Sequence, residues 1–328
     1  MRRRRTKLPG GGSAMGLHST HDGVGLATLP RLTTTVPKEY VHRACLAEVF
    51  LTGCTSQEDH RFSLTGQWPR AHMLFNRTDG NGHDPLQVAE TFRQAGMFLA
   101  HAELGVPLTH QFVMWNLSYT TYPQHLGISL SPTDFELEAR CAEITWRRGM
   151  AASLRLELSI VRDGVLVAHG AGTFSTVPPA VYERLRANRK PGPDDAFDLA
   201  ASRVPLDPAS VGRTSRADVV LTATDSPTRW LLTPDLAHPI LFDHAGDHLP
   251  GMVLLEGGRQ AACAALAPRG LVPASATTEF VRYAELDRPC WLDITRVTPE
   301  AGGTTTVQVA AHQDGETVFT STITGPVC

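Results

Sequence analysis

The candidate catalytic groups of this chain are a glutamate, an arginine and a glutamine that occur together twice. The two sets are Glu90, Arg93 and Gln94, and Glu256, Arg259 and Gln260. Their spacing of three and four residues places the side chains of each set on one face of a helix. A carboxylate in a partly desolvated cleft can act as a general base, and an arginine can bind an anion through two hydrogen bonds. On a solvated face the same spacing would give only an ion pair worth about 0.5 kcal/mol. Its recurrence favours a functional site.

The recurrence belongs to an internal duplication of the chain. The second glutamate follows the first by 166 residues (256 minus 90), and other paired segments keep the same order at similar offsets. These pairs are Arg43 with Arg213, 111–115 with 279–283, and Asp163-Gly164 with Asp314-Gly315. A repeat of this length is a domain rather than a solenoid unit, so we predict two similar domains packed as a pseudo-dimer. The predicted boundaries are a disordered tail and lead-in at 1–35, a first domain at 36–177, a linker at 178–210 and a second domain at 211–328.

Each predicted domain combines one long helix with about five antiparallel strands. The first helix, 84–103, opens at Asp84-Pro85, a typical N-cap followed by a typical first residue. The second helix covers 250–266. The predicted strands are 41–52, 111–119, 135–147, 152–162 and 165–177, then 217–224, 278–285, 290–297, 303–312 and 316–324. One helix cannot cover both faces of such a sheet, so we predict a curved sheet wrapped around each helix. This is the double hot-dog architecture, of the α+β class.

The composition is typical of a soluble globular protein. Hydrophobic residues make up 42% of the 328 residues and the net charge is −3, so charge gives no argument for binding nucleic acid or a membrane. No apolar run predicts a transmembrane helix, and glycines follow the basic start where a secretory signal needs apolar residues. The six cysteines form no C-x-x-C pair, which favours buried, reduced thiols in the cytoplasm. No spacing predicts a metal site or a nucleotide cofactor.

Two histidines and a glycine at the predicted helix starts are further candidates. His83 and His244 each precede a helix, and we rank them as catalytic groups. The backbone N–H groups around Gly251 begin the second helix. Such groups are suited to stabilise an oxyanion.

A set of short motifs along the chain carries a family resemblance. They are 41–44 (VHRA), 67–72 (QWPRAH), 83–86 (HDPL), 90–96 (ETFRQAG), 98–101 (FLAH), 105–107 (GVP) and 247–256 (DHLPGMVLLE). They are similar to motifs of the A-factor biosynthesis family, the γ-butyrolactone and furan autoregulator synthases of filamentous actinobacteria. The resemblance covers roughly residues 35–325.

The resemblance implies an acyltransferase that needs no cofactor. The family is described as joining a β-ketoacyl group, carried on acyl carrier protein, to dihydroxyacetone phosphate. The product is a phosphorylated β-ketoacyl ester that cyclises towards a butenolide or furan signalling molecule. The implied partners are thus acyl carrier protein and dihydroxyacetone phosphate, with a pseudo-dimer in one chain and a possible homodimer.

The resemblance also suggests roles for the repeated residues. Glu90 is preferred to Glu256 as the base, because its bulky apolar neighbours predict a drier site. Arg259 is preferred to Arg93 for the phosphate, because two glycines beside it would leave room for a charged substrate. The other predicted substrate-binding residues are Gln94, Gln260 and Gly251.

A second resemblance keeps other functions open. The β-hydroxyacyl-carrier-protein dehydratases carry a run that is echoed by His244-Ala245-Gly246 and by 250–256. The loop is shorter here, and the proline between the histidine and the glycine is missing. The alternatives are therefore a hot-dog thioesterase or dehydratase acting on carrier-bound chains, and a non-catalytic protein that binds acyl chains or lactones.

Overall fold

The computed structural model describes residues 32–187, 189, 204–244 and 246–327. The described residues from Thr34 onwards belong to one compact unit. Most of the predicted tail and the middle of the predicted linker lie outside the described residues. No helix among the described residues is long and apolar enough to cross a membrane.

Three α-helices are present in the described part of the chain: α1 (Pro85–Ala102), α2 (Pro179–Arg186) and α3 (Gly251–Leu266). The Asp84 side chain accepts a hydrogen bond from the Leu86 N–H at 2.8 Å, so the predicted cap of α1 is confirmed. In α1, 15 of 18 residues are buried. A helix buried on nearly all sides must be enclosed by other elements, as the hot-dog architecture requires.

Twelve strands of the described residues form one antiparallel sheet. They are β1 (Leu51–Ser56), β2 (Arg61–Trp68), β3 (Gln111–Thr121), β4 (Thr133–Arg147), β5 (Met150–Arg162), β6 (Val165–Val177), β7 (Leu221–Ala223), β8 (Arg229–Leu232), β9 (Ser275–Phe280), β10 (Trp291–Pro299), β11 (Thr304–Gln313) and β12 (Glu316–Pro326). The spatial order is β1-β2-β4-β5-β6-β3-β9-β12-β11-β10-β8-β7. Counted from each outer edge towards the centre, the first half has the order β1-β2-β4-β5-β6-β3 and the second half has the equivalent order β7-β8-β10-β11-β12-β9. The predicted duplication is therefore confirmed.

The two halves meet at β3 and β9, the inner strand of each half. These strands pair antiparallel from Asn116 opposite Glu279 to Thr120 opposite Ser275. The helices also contact one another, and each packs on the sheet of its own half. The predicted hairpin turns are present as well: Asp163-Gly164 and Asp314-Gly315 both have positive φ at their two residues, as a type I′ turn requires.

The predicted strands 41–52 and 217–224 are largely wrong. In the first half, short 3₁₀ turns at Lys38–Val41 and Leu46–Glu48 precede a strand that starts only at Leu51. The alternation that suggested a strand arises because Val41 and Arg43 turn inward onto α1 rather than onto a sheet face. In the second half, the strand shrinks to three residues for the same reason.

Two strands and one cysteine also differ from the prediction. Strands β2 and β8 were missed, and each pairs with the strand before it as a hairpin. Cys45, predicted to be buried in a strand, is exposed in the turn between the two 3₁₀ segments.

Candidate active site

Glu90 lies at the centre of a buried ion cluster. Its side chain has no exposed surface. Arg43 Nη2 is 2.8 Å from Glu90 Oε1, and Arg93 donates from Nε to Oε2 and from Nη2 to Oε1, each at 2.7 Å. Arg43 Nη1 also donates to the carbonyl of Ile240 at 2.9 Å. Because Ile240 belongs to the other half, this cluster holds the halves together.

Glu256 has an equivalent cluster in the second half. Arg213 donates from Nε at 2.7 Å and from Nη2 at 2.6 Å to the two carboxylate oxygens. Arg259 donates to the same oxygens from Nε and Nη2, each at 2.8 Å. Arg213 Nη1 crosses to the carbonyl of Leu74 in the first half at 2.6 Å. The repeated trio is therefore part of a repeated quartet, completed by an arginine from the turn before each first strand.

Gln94 and Gln260 each attach their own helix to the segment that leads into the first strand of the same half. Gln94 donates to Glu90 Oε1 and to the carbonyl of Glu48, both at 2.7 Å, and accepts from the Phe50 N–H at 2.9 Å. Gln260 makes the same three kinds of bond in the second half. Both side chains are fully buried and both amide N–H donors are used. That geometry opposes the predicted contact of Gln94 and Gln260 with substrate.

The surroundings of Glu90 lower its pKa, whereas the predicted role as a general base needs a raised one. Burial alone would raise the pKa, but the charges of Arg43 and Arg93, with hydrogen bonds from Arg93 and Gln94, lower it from 4.5 to about 2. The pKa of Glu256 is also lowered, because its two arginines outweigh burial in the same way. Both carboxylates are ionised near neutral pH and are poor proton acceptors. Their catalytic roles stay predictions without that support.

A cavity of about 570 Å³ lies between the two halves beside the Glu90 cluster. Its size suits a small-molecule site. The apolar lining comes from both halves: Phe92, Met97, Phe112, Leu156 and Phe174, and Met252, Leu254, Leu255 and Phe280. The polar lining includes His42, Arg43, Arg93, Asp243 and His244. Among the residues that the structure describes, no group of three or more His, Cys, Asp or Glu side chains is placed to hold a metal ion.

The cavity reaches one of the two equivalent arginines. Arg93 lines it with 14% of its side chain exposed, whereas Arg259 is 6% exposed and is absent from the lining. Arg93 bonds Glu90 and the carbonyl of Val41, and its Nη1 points at the sulfur of Met97, 2.8 Å away. Because a thioether is a weak acceptor, this nitrogen is available to an anionic ligand. Of the two equivalent arginines, Arg93 and not Arg259 is therefore the one that a ligand in the cavity can reach.

The glycines that motivated the choice of Arg259 serve a different purpose. A Cβ at Gly257 would lie 2.9 Å from the Leu232 side chain, and one at Gly258 would lie 3.2 Å from the Phe319 ring. Both glycines therefore face the sheet and allow α3 to approach it closely. The expectation that they leave room for a charged substrate is wrong.

The two candidate histidines have different surroundings. His244 lines the cavity, and burial followed by the charge of Arg93 lowers its pKa. His83 is fully buried outside the lining, with Nε2 3.0 Å from Thr133 Oγ1 and its ring 5.1 Å from that of Trp68. Burial lowers the pKa of His83 to about 4. The structure brings only His244 close to the other candidates.

Two cavity residues were not singled out from the sequence. His42 follows the first 3₁₀ turn, and Asp243 accepts hydrogen bonds from the N–H groups of Ala44 and Cys45 at 2.6 and 3.2 Å. Asp243, from the second half, thereby fixes the turn that carries His42. The equivalent of His42 in the second copy is Gly212, so a difference between the copies was the signal that could have found it.

The start of α3 opens onto the cavity at Gly251. The N-cap, Pro250, supplies no side-chain hydrogen bond, and the first N–H groups of a helix have no partner within it. A Cβ at Gly251 would lie 3.3 Å from the Phe280 ring, so glycine allows the close approach. The N–H groups here can stabilise negative charge on a ligand oxygen.

Helix α2 lies against the rim of the cavity. Leu185 lines the cavity, and the next residue, Arg186, bonds both oxygens of Glu285 at 2.7 Å and Asp247 at 2.9 Å. The Arg186 guanidinium also lies over the Tyr283 ring, 4.7 Å from its centroid. Charged contacts therefore hold this helix in place on the second half.

Comparison with known proteins assigns this chain to a family. The family described as the A-factor biosynthesis hotdog domain matches this chain twice, over residues 26–178 and 197–328. The chain belongs to the A-factor biosynthesis family. The predicted family and double hot-dog fold are confirmed, and the two matches coincide with the two halves of the sheet.

Two relatives share most of their length with this member of the family. A protein of Streptomyces virginiae is 46% identical over 89% of this chain and 98% of its own length, and one of Streptomyces coelicolor is 40% identical over 89% and 91%. Both are named 2-oxo-3-(phosphooxy)propyl 3-oxoalkanoate synthase. These names bear out the prediction that the family member described here is an enzyme.

Solved structures resemble the fold more distantly. The 12:0-ACP thioesterase of Umbellularia californica has a TM-score of 0.48 and 11% identity, covering 84% of this chain and 99% of its own. A trans-AT PKS dehydratase domain of Brevibacillus brevis has a TM-score of 0.49 and 11% identity, covering 85% and 97%. Similarity at this distance does not bear on function.

Proposed function

We propose that this enzyme transfers a β-ketoacyl group from a thioester to dihydroxyacetone phosphate. The relatives' names describe an ester in which a 3-oxo acid is joined to a 2-oxo-3-phosphooxypropyl group. The alcohol of that ester is dihydroxyacetone phosphate. The observation that carries the proposal is a single cavity offering both an available arginine and an apolar wall.

The phosphate is assigned to Arg93. Its Nη1 points at a thioether, so a phosphate oxygen would replace a weak acceptor with a strong one. Glu90 already holds the guanidinium in position, so little entropy is lost in orienting it when the phosphate binds. His244 also lines the cavity near Arg93 and would give the phosphate a further hydrogen bond.

The acyl chain and its thioester are assigned to the apolar side. The rings of Phe112, Phe174 and Phe280 line this wall. With the chain against them, the thioester carbonyl oxygen would accept from the N–H groups near Gly251 as it becomes an oxyanion. Acyl carrier protein is the proposed carrier of the thioester.

Glu90 and Glu256 are proposed to be structural anchors, which replaces their predicted role as bases. Each holds two arginines and joins the halves through them. Only the Glu90 cluster borders the cavity, so Glu90 also fixes the geometry of the proposed phosphate site. We place the reaction in the cytoplasm, which suits the free thiols of the five cysteines that the structure describes.

Incubation of the purified protein with both substrates tests the proposal. A β-ketoacyl thioester and dihydroxyacetone phosphate should give a phosphorylated ester, identified by its mass, together with free thiol. A control without dihydroxyacetone phosphate should release little thiol. Release of free acid at the same rate in both incubations would instead indicate a thioesterase, and an enoyl thioester would indicate a dehydratase.

A further inference from the structure

His42 and His101 form a hydrogen-bonded pair whose protonation pattern is determined by a backbone carbonyl. The two Nε2 atoms are 2.9 Å apart, and His101 Nδ1 is 2.8 Å from the carbonyl of Val106. A carbonyl only accepts, so His101 Nδ1 carries a proton and, in the neutral ring, its Nε2 is an acceptor. His42 must then donate from Nε2. Its Nδ1 is left with a lone pair, and no group of the described residues donates to it.

The backbone at His42 is in a conformation that favours glycine. Its φ is 52° and its ψ is 52°, in the left-handed region. The equivalent residue of the second copy is Gly212, with φ 64° and ψ 41°. A histidine here costs conformational energy that glycine avoids, and such residues concentrate at functional sites.

The second copy has no room for such a histidine. A Cβ at Gly212 would lie 3.1 Å from Arg259 Nη1 and 3.5 Å from Cys263 Sγ. The two copies therefore differ at this position. In the first half His42 lines the cavity, whereas in the second half Gly212 packs against the buried Arg259.

The surroundings of His42 keep its ring neutral and fixed. The ring lies edge to edge with that of His101, with which it is hydrogen-bonded, at a centroid distance of 5.1 Å, and Phe112 packs edge-on against His42 at 5.3 Å. Burial, and then the charges of His101, Arg93 and His244, lower the pKa of His42 to about 4. A neutral imidazole has the free lone pair that a proton acceptor needs, and the negative charge of a phosphate bound to Arg93 would raise the pKa of His42 towards the range in which the ring can hold the proton.

We infer that His42 is the general base of the acyl transfer and that His101 is its positioning residue. The inference deepens the proposed function and rests on it. His42 shares the cavity with Arg93, and Arg93 Nη2 donates to the carbonyl of Val41, the residue before His42. A phosphate bound to Arg93 would therefore bring the acceptor's hydroxyl group towards this histidine.

The step is balanced without any other reactant. His42 Nδ1 takes the proton of the primary hydroxyl group while that oxygen forms a bond to the thioester carbonyl carbon. The carbonyl electron pair moves onto its oxygen, near the N–H groups of Gly251 and its neighbour. The pair then returns, the carbon–sulfur bond breaks, and the leaving thiolate takes the proton from His42.

The principal test is the variant His42→Gly. Glycine adopts the left-handed conformation freely, so the variant should keep or exceed the melting temperature of the wild type. Loss of a general base should lower kcat about 10²–10⁴-fold while changing either KM little. Added imidazole should restore part of kcat, because it can occupy the vacated space beside His101. His42→Asn, which also tolerates positive φ, is a second variant that keeps the test valid if the first folds poorly.

One further variant separates the roles of the base and of its positioning residue, and another serves as a control. His101→Phe keeps an aromatic ring beside Tyr40 and Phe112 but removes the acceptor for His42 Nε2–H. Its kcat should fall less, and imidazole should not rescue it. The exposed His125 lies outside the cavity lining, so His125→Gly should match the wild type with and without imidazole.

The outcomes distinguish this inference from the function on which it rests. If the wild type forms no phosphorylated ester, the proposed function fails and the inference fails with it. If the wild type forms the ester and both His42 variants retain its kcat, only the inference is overturned. A low kcat in His42→Gly that imidazole leaves unchanged, with a lowered melting temperature, would show that His42 is structural and would also overturn it.

Discussion

At the scale of single residues, two fully buried carboxylates are each held by a pair of arginines. Glu90 and Glu256 each lie between two arginines, and neither has exposed surface. Removing one member of such a cluster leaves buried charge without compensation, which typically costs about 3–5 kcal/mol. This cost is the reason for proposing that these glutamates act on stability rather than on proton transfer.

The variants Glu90→Gln and Glu256→Gln test this role. Each should lower the free energy of unfolding at pH 7 by a similar amount. The pKa of Glu90 is lowered from 4.5 to about 2, so its ionised form stabilises the fold above pH 4.5. This stabilisation is lost as the pH falls through about 2. The difference between wild type and Glu90→Gln should therefore narrow on acidification.

Denaturant titrations between pH 7 and the lowest pH at which the proteins stay folded would measure that difference. A constant difference across this range would contradict the lowered pKa. Wild-type stability in Glu90→Gln would contradict the anchoring role itself.

The sequence predicted part of this chemistry at the residue scale. The trio of Glu90, Arg93 and Gln94 was visible because its spacing recurs within one helix. Arg43 was recognised as a duplicated position, but its contact with Glu90 spans 47 residues of chain and depends on how the turn packs on α1. His42 could not be found from the duplication at all, because its equivalent is a glycine.

At the scale of elements, local signals predicted the helices and hairpins well. Asp84 and the proline after it place the start of α1 through a cap and a fixed φ, both of which act within a few residues. The edge strands β1 and β7 were misjudged because 3₁₀ turns with inward side chains imitate the alternation of a strand. Their bounds depend on contacts with the helices, which the sequence pattern does not contain.

Helix α2 gives a prediction at this scale. Arg186→Ala removes the charge-assisted bonds to Asp247 and Glu285, each worth about 1.5–3 kcal/mol. An eight-residue helix is not stable alone, so α2 should be held less firmly at the rim of the cavity, which Leu185 lines. The KM for the acyl thioester should rise, with little change in melting temperature.

The control for this prediction is Arg184→Ala, from the same helix. The bond of Arg184 is to the carbonyl of Ala180, within the exposed surface of α2. Steady-state kinetics should show an unchanged thioester KM in this variant. An equal KM for both variants would show that α2 does not cover the acyl site.

At the scale of the whole molecule, duplication has produced two similar clusters with unequal access. Both lie where the halves meet, and each sends an arginine to a carbonyl of the opposite half. The cavity opens at the cluster of Glu90, while Arg259 is covered at the other. The sequence predicted the pseudo-dimer but not this asymmetry, because it depends on space rather than on residue pattern.

In the proposed mechanism, the open cluster around Glu90 holds the phosphorylated acceptor. Arg93→Ala and Arg259→Ala are matched variants, since each removes one of two guanidinium groups from a buried glutamate and should lower the melting temperature similarly. The loss of a charge-assisted contact corresponds to about 10- to 150-fold in affinity.

The most direct test measures, for both variants, the KM for dihydroxyacetone phosphate and the KM for the acyl thioester. Arg93→Ala should raise the KM for dihydroxyacetone phosphate and leave that for the thioester nearly unchanged, whereas Arg259→Ala should change neither. The reverse pattern, with the acceptor KM raised only in Arg259→Ala, would show that the phosphate does not bind at Arg93.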